Sequence, residues 1–422
     1  MKNIITTSWD YTYRITRFLL YIDGSFNKMS HIDGSFNKMS VLILYYGSIS
    51  RITGTSERVL QVAMGLADQG ASVTLSGTNI GYSETIKSRT KIHLINAPTT
   101  RKISSIISWI VDLFVIALLR HRYDVVQIEN FPLFKSLMLY FLLRPLGRKF
   151  IVVFHDKFWE RDPRGSVSGR LQLMLHRVLL SIFDASITPG LSVKRWFEKL
   201  HGKQLSGKII VIPNGAPNFS IRDDIDSRTL RKNLRIAPDA FVVCFFGLME
   251  FKPNYESAMY LYKVSSFISH KFEEFTGRKL IFLVAGKGSK ALPKTECFFP
   301  IGFIKKLEEL LSLPDIIVLP HSPCFSGPHV KTMYSFLSGK PVVATEDAVK
   351  DMPGVVEGKQ FISFDINERV TLLNALKELY YEKELREMLV TNAYLYCKKF
   401  SWQYISSSHL RLYSRLFSLR KP

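Results

Sequence analysis

Only four cysteines occur in the 422 residues, Cys244, Cys297, Cys324 and Cys397. None forms a CxxC or a Cys/His pair at metal spacing, so neither a disulfide frame nor a thiolate metal site is expected. Each sits among apolar residues and reads as a buried free thiol of a reducing compartment. Long apolar runs are also missing. Residues 103–119 come nearest, but Asp112 interrupts them and Arg120, His121 and Arg122 close them; residues 132–143 are shorter and carry Lys135. Both read as helices packed on a sheet, not as membrane spans. The apolar core of residues 14–22 is too short for a signal peptide. No GxGxxG follows an early strand, which argues against a dinucleotide dehydrogenase. No helix-turn-helix, zinc-finger or RNA-binding signature is present, so nucleic acid is not an expected partner.

Acidic residues are the minority charge, with 36 Asp/Glu against 57 Lys/Arg and a net charge of +21. The excess is uneven. Residues 41–210 hold 23 Lys/Arg against 11 Asp/Glu, and residues 211–422 hold 29 against 22. The first half is therefore the more basic, and a basic surface attracts phosphorylated ligands or anionic lipid headgroups. Hydrophobic residues make up 46% and charged residues 22%, a globular composition. The length favours two domains over one core.

Residues 22–30 and 32–40 are identical copies of IDGSFNKMS. Two copies are too few for a solenoid, so residues 1–38 read as a tail with a tandem duplication. From residue 41 onward the chain alternates. Strands are expected at 41–46, 71–76, 92–96, 125–129, 149–154 and 185–188, with a Gly/Ser/Thr loop over 47–55 and a helix over 56–69. The second half repeats the pattern, with strands at 241–246, 280–285, 316–319 and 341–344 and helices at 255–270, 304–312 and 330–338. Alternation of this kind predicts parallel sheets with helices on both faces, and a ligand cleft at the strand ends. The two halves join near residues 209–217, IIVIPNGAP, where Pro, Asn and Gly mark a turn.

Several segments carry chemistry. The loop ending in Gly54 and Thr55 precedes an amphipathic helix, and its backbone N–H groups suit an anion. His155 closes a strand, where it can hydrogen-bond a hydroxyl in a cleft; Asp156 follows it. Residues 246–254, FGLMEFKPN, contain Gly247, whose lack of a side chain admits a diphosphate, and Lys252 as a local cation. Residues 280–288, LIFLVAGKG, end a strand in a glycine loop at Gly286. Residues 325–345, FSGPHVKTMYSFLSGKPVVAT, open a helix with Gly327 and close it with Gly339, Lys340 and Pro341. Free N–H groups at that helix start, together with Lys331, can receive a diphosphate. FSW at residues 400–402 opens a last helix.

In this order, the segments resemble glycosyltransferase family 4, the group 1 family, over most of residues 41–416. The resemblance implies the GT-B fold: an α/β protein of two doubly wound Rossmann-like domains facing a cleft, with a C-terminal helix crossing back. The expected divisions are 39–210 on the acceptor side, 211–395 for the nucleotide-sugar and 396–422 for the returning helix. It implies transfer of a sugar from a nucleotide-diphosphate sugar to a glycan or lipid-linked acceptor, with retention and with no metal or cofactor. His155 and Lys331 would be catalytic; Gly247, Lys252, Gly286, Gly327, His329, Lys331 and Tyr334 would bind the donor; Gly54 and Thr55 would contact phosphate. One departure stands out. Tyr334 occupies the place of the family's ribose-binding glutamate, and Leu248 that of a common arginine, which keeps open a non-catalytic, glycosyltransferase-like binding protein. The expected location is cytoplasmic, in peripheral contact with an anionic membrane at its cytoplasmic face.

Overall fold

The structure, a computed structural model, describes residues 39–49, 54–78, 92–97, 109, 122–155, 165–202, 207–219, 225–322 and 330–418. The duplication up to Lys38, most of residues 103–119, Asp156, Cys324, Gly327 and His329 lie outside the described residues.

Strands β1 (Ser40–Ser48), β2 (Ser72–Thr78), β3 (Ile92–Asn96), β4 (Tyr123–Glu129), β5 (Gly147–Val153), β6 (Ala185–Thr188) and β7 (Ile209–Val211) form a seven-stranded sheet in the order β3-β2-β1-β4-β5-β6-β7. A second sheet has the order β10-β9-β8-β11-β12-β13, built from β8 (Phe241–Phe246), β9 (Leu280–Ala285), β10 (Phe298–Gly302), β11 (Ile316–Leu319), β12 (Val342–Ala344) and β13 (Ile362–Ser363). Every pairing in both sheets is parallel. The central strands are continuous apolar runs such as FVVCFF and LIFLVA, buried at every residue, because helices cover both faces. The order turns back beside β1 and beside β8, which is the doubly wound arrangement expected from the sequence.

Helices α1 (Gly54–Asp68), α2 (Leu133–Leu143), α3 (Val167–Ile182) and α4 (Leu191–His201) flank the first sheet. Around the second lie α5 (Ser227–Asn233), α6 (Lys252–Thr276), α7 (Leu307–Ser312), α8 (Val330–Leu337), α9 (Glu346–Val349), α10 (Arg369–Tyr381) and α11 (Lys383–Lys399). The last helix, α12 (Trp402–Ser418), returns and packs on α1, burying Ile405, Leu410, Leu412, Tyr413 and Leu416 in the core of the first sheet.

The halves are tied together at several points. The buried Arg58 of α1 donates to the Ile212 and Pro213 carbonyls at 2.9 and 2.7 Å and to Asn214 Oδ1 at 3.0 Å, which anchors the turn between the sheets. Trp402 packs against Gly215, and Ala216 bridges to Ser401. Asp351 reaches across to the start of α4, accepting from Ser192 N and Ser192 Oγ at 2.6 Å each. A carboxylate there satisfies free N–H groups and complements the helix dipole.

Some sequence expectations need correction. Gly54 and Thr55, read as loop, are the first residues of α1, because the helix begins two residues earlier than its apolar spacing suggests. Cys244 and Cys397 are buried, but Cys297 is half-buried beside the Thr295 and Ser266 hydroxyls. Lys149, one of the cations of the more basic first half, is buried and paired with Asp184 at 2.9 Å.

Candidate active site

The C-terminal ends of β1 and β11 lead to α1 and α8, and the first residues of those two helices meet. A Cβ on Gly54 would lie 3.3 Å from Val330 Cγ2, so the described starts of the two helices touch. α1 has Glu57 and α8 has no acidic residue in its first turn. The positive dipole ends of two helices that start beside one another favour an anion nearby. Thr55 is half-exposed beside Gly54.

Lys331, the second residue of α8, supplies the cation. Its ammonium donates to Asn254 Oδ1, lies 4.9 Å from the centre of the Phe245 ring, and sits 3.1 Å from where a Gly247 Cβ would be. Asn254 is buried and donates through Nδ2 to the Leu248 carbonyl at 2.9 Å, so it is fixed before it receives the lysine. Gly247 must lack a side chain to leave this room. Gly286, at φ +128°, lies against it, and a Cβ there would collide with the Gly247 carbonyl oxygen. Gly247, Gly286 and Lys331, far apart in sequence, thus converge with Asn254 above β8 and β9.

Lys252 does not join them. It is the first residue of α6, its ammonium is largely exposed, and it pairs with Glu256 at 3.6 Å. Tyr334, one turn beyond Lys331, packs edge-on against Phe219 at 5.3 Å. Burial first, then the nearby Glu57 and Glu308 carboxylates, push its phenol up to about 12, so it stays protonated and able to donate.

On the opposite sheet, His155 follows β5 and is buried. Its Nε2 lies 3.0 Å from Glu129 Oε2 at the end of β4. Burial alone would raise the Glu129 carboxyl. The hydrogen bond and charge of His155, the Arg58 guanidinium and the Gln127 amide outweigh burial and hold it below the usual carboxylate value. An ionised carboxylate can only accept, so Nε2 of His155 carries the proton and Nδ1 is the remaining ring nitrogen. The network continues inward. Gln127 Nε2 donates to Glu129 Oε1, the Tyr413 hydroxyl donates to Gln127 Oε1 at 2.7 Å, and His409 Nδ1 lies 3.3 Å from that hydroxyl. Burial lowers Arg58 to about 10 against the pull of Glu129 and Tyr413, and lowers His409 to about 3. Arg58 and Glu129 thus carry opposite charges within one buried network.

Sequence reading missed Glu129, Gln127, Arg58 and Asn254. The signal for the first two was available: Gln127 and Glu129 alternate in a strand, YDVVQIE, that is otherwise apolar after its start, so they share one face and end at the cleft. Among the described residues no group of three or more His, Cys, Asp or Glu is placed to hold a metal ion, and no helix is long and apolar enough to cross a membrane.

Two doubly wound parallel sheets, with a last helix returning to the first, make the GT-B fold. Residues 52–217 match the model of Glycosyltransferase Family 4, in agreement with the resemblance read from the sequence. That segment holds Gly54, Thr55 and His155, while Gly247, Gly286, Lys331 and Tyr334 lie outside it. The structure is similar to that of a glycosyltransferase from Rickettsia africae ESF-5, with a TM-score of 0.67 and 15% identity over 92% of this chain and 100% of that one. It is similar to HepE of Anabaena, solved in complex with UDP-glucose, with a TM-score of 0.62 and 16% identity over 89% of this chain and 99% of that one. The sucrose-phosphate synthase of Thermosynechococcus elongatus gives a TM-score of 0.68 and 13% identity over 90% of this chain and 100% of that one. No curated protein sequence matches the chain significantly.

Proposed function

We propose that the chain transfers a hexosyl group from a nucleotide-diphosphate sugar to a glycan or lipid-linked acceptor, with retention of configuration. The observation that carries this reading is the Lys331 ammonium, fixed by Asn254 directly above side-chain-free Gly247, at the point where the N-termini of α1 and α8 meet. A diphosphate placed there gains a full charge and two sets of helix N–H groups. These interactions strengthen as the sugar departs and negative charge collects on the leaving oxygen. The ammonium has three donors, so it can keep Asn254 and still reach phosphate. The charge of the leaving group is met by these residues, and the reading asks for no metal or cofactor. Tyr334 would face the ribose with a phenol. His155, oriented by Glu129, would meet a sugar hydroxyl through Nδ1. HepE, of similar fold, is solved with UDP-glucose, which supports a nucleotide-sugar as the donor class. The acceptor would lie against the first sheet, and the location would be cytoplasmic.

A second reading is favoured by Tyr334. With its ring against Phe219 and two acids nearby, it could be a packing residue in a protein that binds nucleotide-sugars without turning them over. A panel of UDP-, GDP- and ADP-sugars distinguishes the readings. Thermal stabilisation by one nucleotide series, with sugar release or transfer, is expected of the transferase. Stabilisation without release indicates the binding protein, and no stabilisation by any of them removes the donor site.

A further inference from the structure

α2 and α3 lie side by side on one face of the first sheet and share a core. Leu139 and Leu143 of α2 and Leu179 and Leu180 of α3 are buried in the same cluster around Phe150 and Phe183. Their outward faces therefore form one surface. An amphipathic helix over a sheet ordinarily turns polar residues outward. These two do not. Phe134, Met138 and Phe141 recur along the outer side of α2 at 61%, 57% and 64% exposure, and Val167, Leu171 and Met174 do so on α3 at 76%, 53% and 54%. Two exposed rings and four large aliphatic side chains on neighbouring helices are more than the scattered single apolar residues normal for a surface.

The charge around this face is predominantly positive, and one of its cations, Arg148, pairs with Asp124 at 3.2 Å. Residues 131–155 and 165–183 contain no Asp or Glu, and the exposed ionisable side chains among them are Lys135, Arg144, Arg148, Arg170 and Arg177. A contrast within the molecule shows that apolar exposure alone does not produce this. α11 also exposes Met388, Tyr394 and Leu395, but Glu384 and Glu387 stand among them.

We propose that the α2–α3 face docks on an anionic lipid bilayer. Phe134, Phe141 and the aliphatic side chains would enter the headgroup–acyl boundary, and Lys135, Arg144, Arg170 and Arg177 would lie at the level of the lipid phosphates. A soluble protein partner would bury the apolar residues equally well, but it would not require a rim so dominated by positive charge. Lys149 takes no part, because it is buried with Asp184. The face is separate from Lys331 and Gly247, so this proposal does not depend on the transferase reading.

The test is vesicle flotation of the full chain, with neutral phosphatidylcholine vesicles and with vesicles one-quarter phosphatidylglycerol. Binding is expected to the anionic vesicles only, and to weaken as salt is raised above about 0.1 M. Phe134→Ser with Phe141→Ser is expected to lower partition at least about tenfold, the scale of removing a buried aromatic side chain. Because both positions are exposed, the melting temperature should not change, and this serves as the folding control. Arg170→Gln with Arg177→Gln should weaken binding to anionic vesicles. Lack of flotation at low salt overturns the proposal, as does equal flotation of the folded Phe variant. A dimer in light scattering that the Phe variant dissociates would assign the face to a second copy instead.

Discussion

Glu129 accepts a 3.0 Å hydrogen bond from His155 at the ends of two adjacent parallel strands, and both side chains are buried. The carboxylate also answers the buried charge of Arg58, which in turn holds the turn between the two sheets. One residue thus sets the ring of a candidate catalytic histidine and neutralises the anchor of the hinge. Glu129→Gln keeps the shape but leaves Arg58 uncompensated, and we predict a loss of about 1–3 kcal/mol in denaturant unfolding. Turnover should fall while the KM for donor changes little, since Glu129 touches His155 and not the nucleotide. Equal turnover in a folded Glu129→Gln variant would remove Glu129 from the positioning role.

Tyr334 offers a sharper test of the donor pocket. Tyr334→Phe keeps the edge-on contact with Phe219, so thermal stability should stay the same. If the phenol meets the ribose, donor affinity should drop by about 1 kcal/mol, the net worth of one hydrogen bond. Calorimetry that returns the parent affinity would mark Tyr334 as a packing residue.

Stability should fall in mild acid. Burial lowers His176 and His409 each to about 3, far below the usual value of 6.5. A group with a depressed folded value leaves the protein most stable above the unfolded pKa. Between about 6.5 and 3 only the unfolded chain takes up the proton, so each such histidine costs about 1.4 kcal/mol per pH unit. Urea midpoints should therefore drop steadily from pH 7 to pH 5. His409→Gln should flatten that slope, and an unchanged slope would show that other groups govern it.

Much of the fold was legible because it rests on period and punctuation. β3, β6, β8, β9 and β11 fall at the residues expected from their apolar runs, and the turn at Ile212–Gly215 lies where Pro, Asn and Gly predict it. The start of α1 was misplaced because Gly54 and Thr55 have loop composition, and the close approach of Val330 to Gly54 becomes visible only in the folded chain. The charged residues were the hardest to read. Arg58, Glu129 and Lys149 look like surface residues in a one-dimensional pattern, yet each is buried because a partner distant in sequence meets it. Lys331, Gly247 and Gly286 were legible as motif residues, but the Asn254 side chain that holds Lys331 in place was visible only once the two sheet ends were assembled.

The central claim is that a nucleotide diphosphate binds where Lys331 lies above Gly247, and calorimetry on Lys331→Ala tests it most directly. The parent chain is titrated with UDP, GDP and ADP, and the nucleotide that binds is then titrated into the folded variant. The account predicts a loss of about 1.5–3 kcal/mol, tenfold or more in Kd, as for a charge-assisted hydrogen bond to phosphate. Equal affinity in parent and variant would contradict it and place the nucleotide elsewhere.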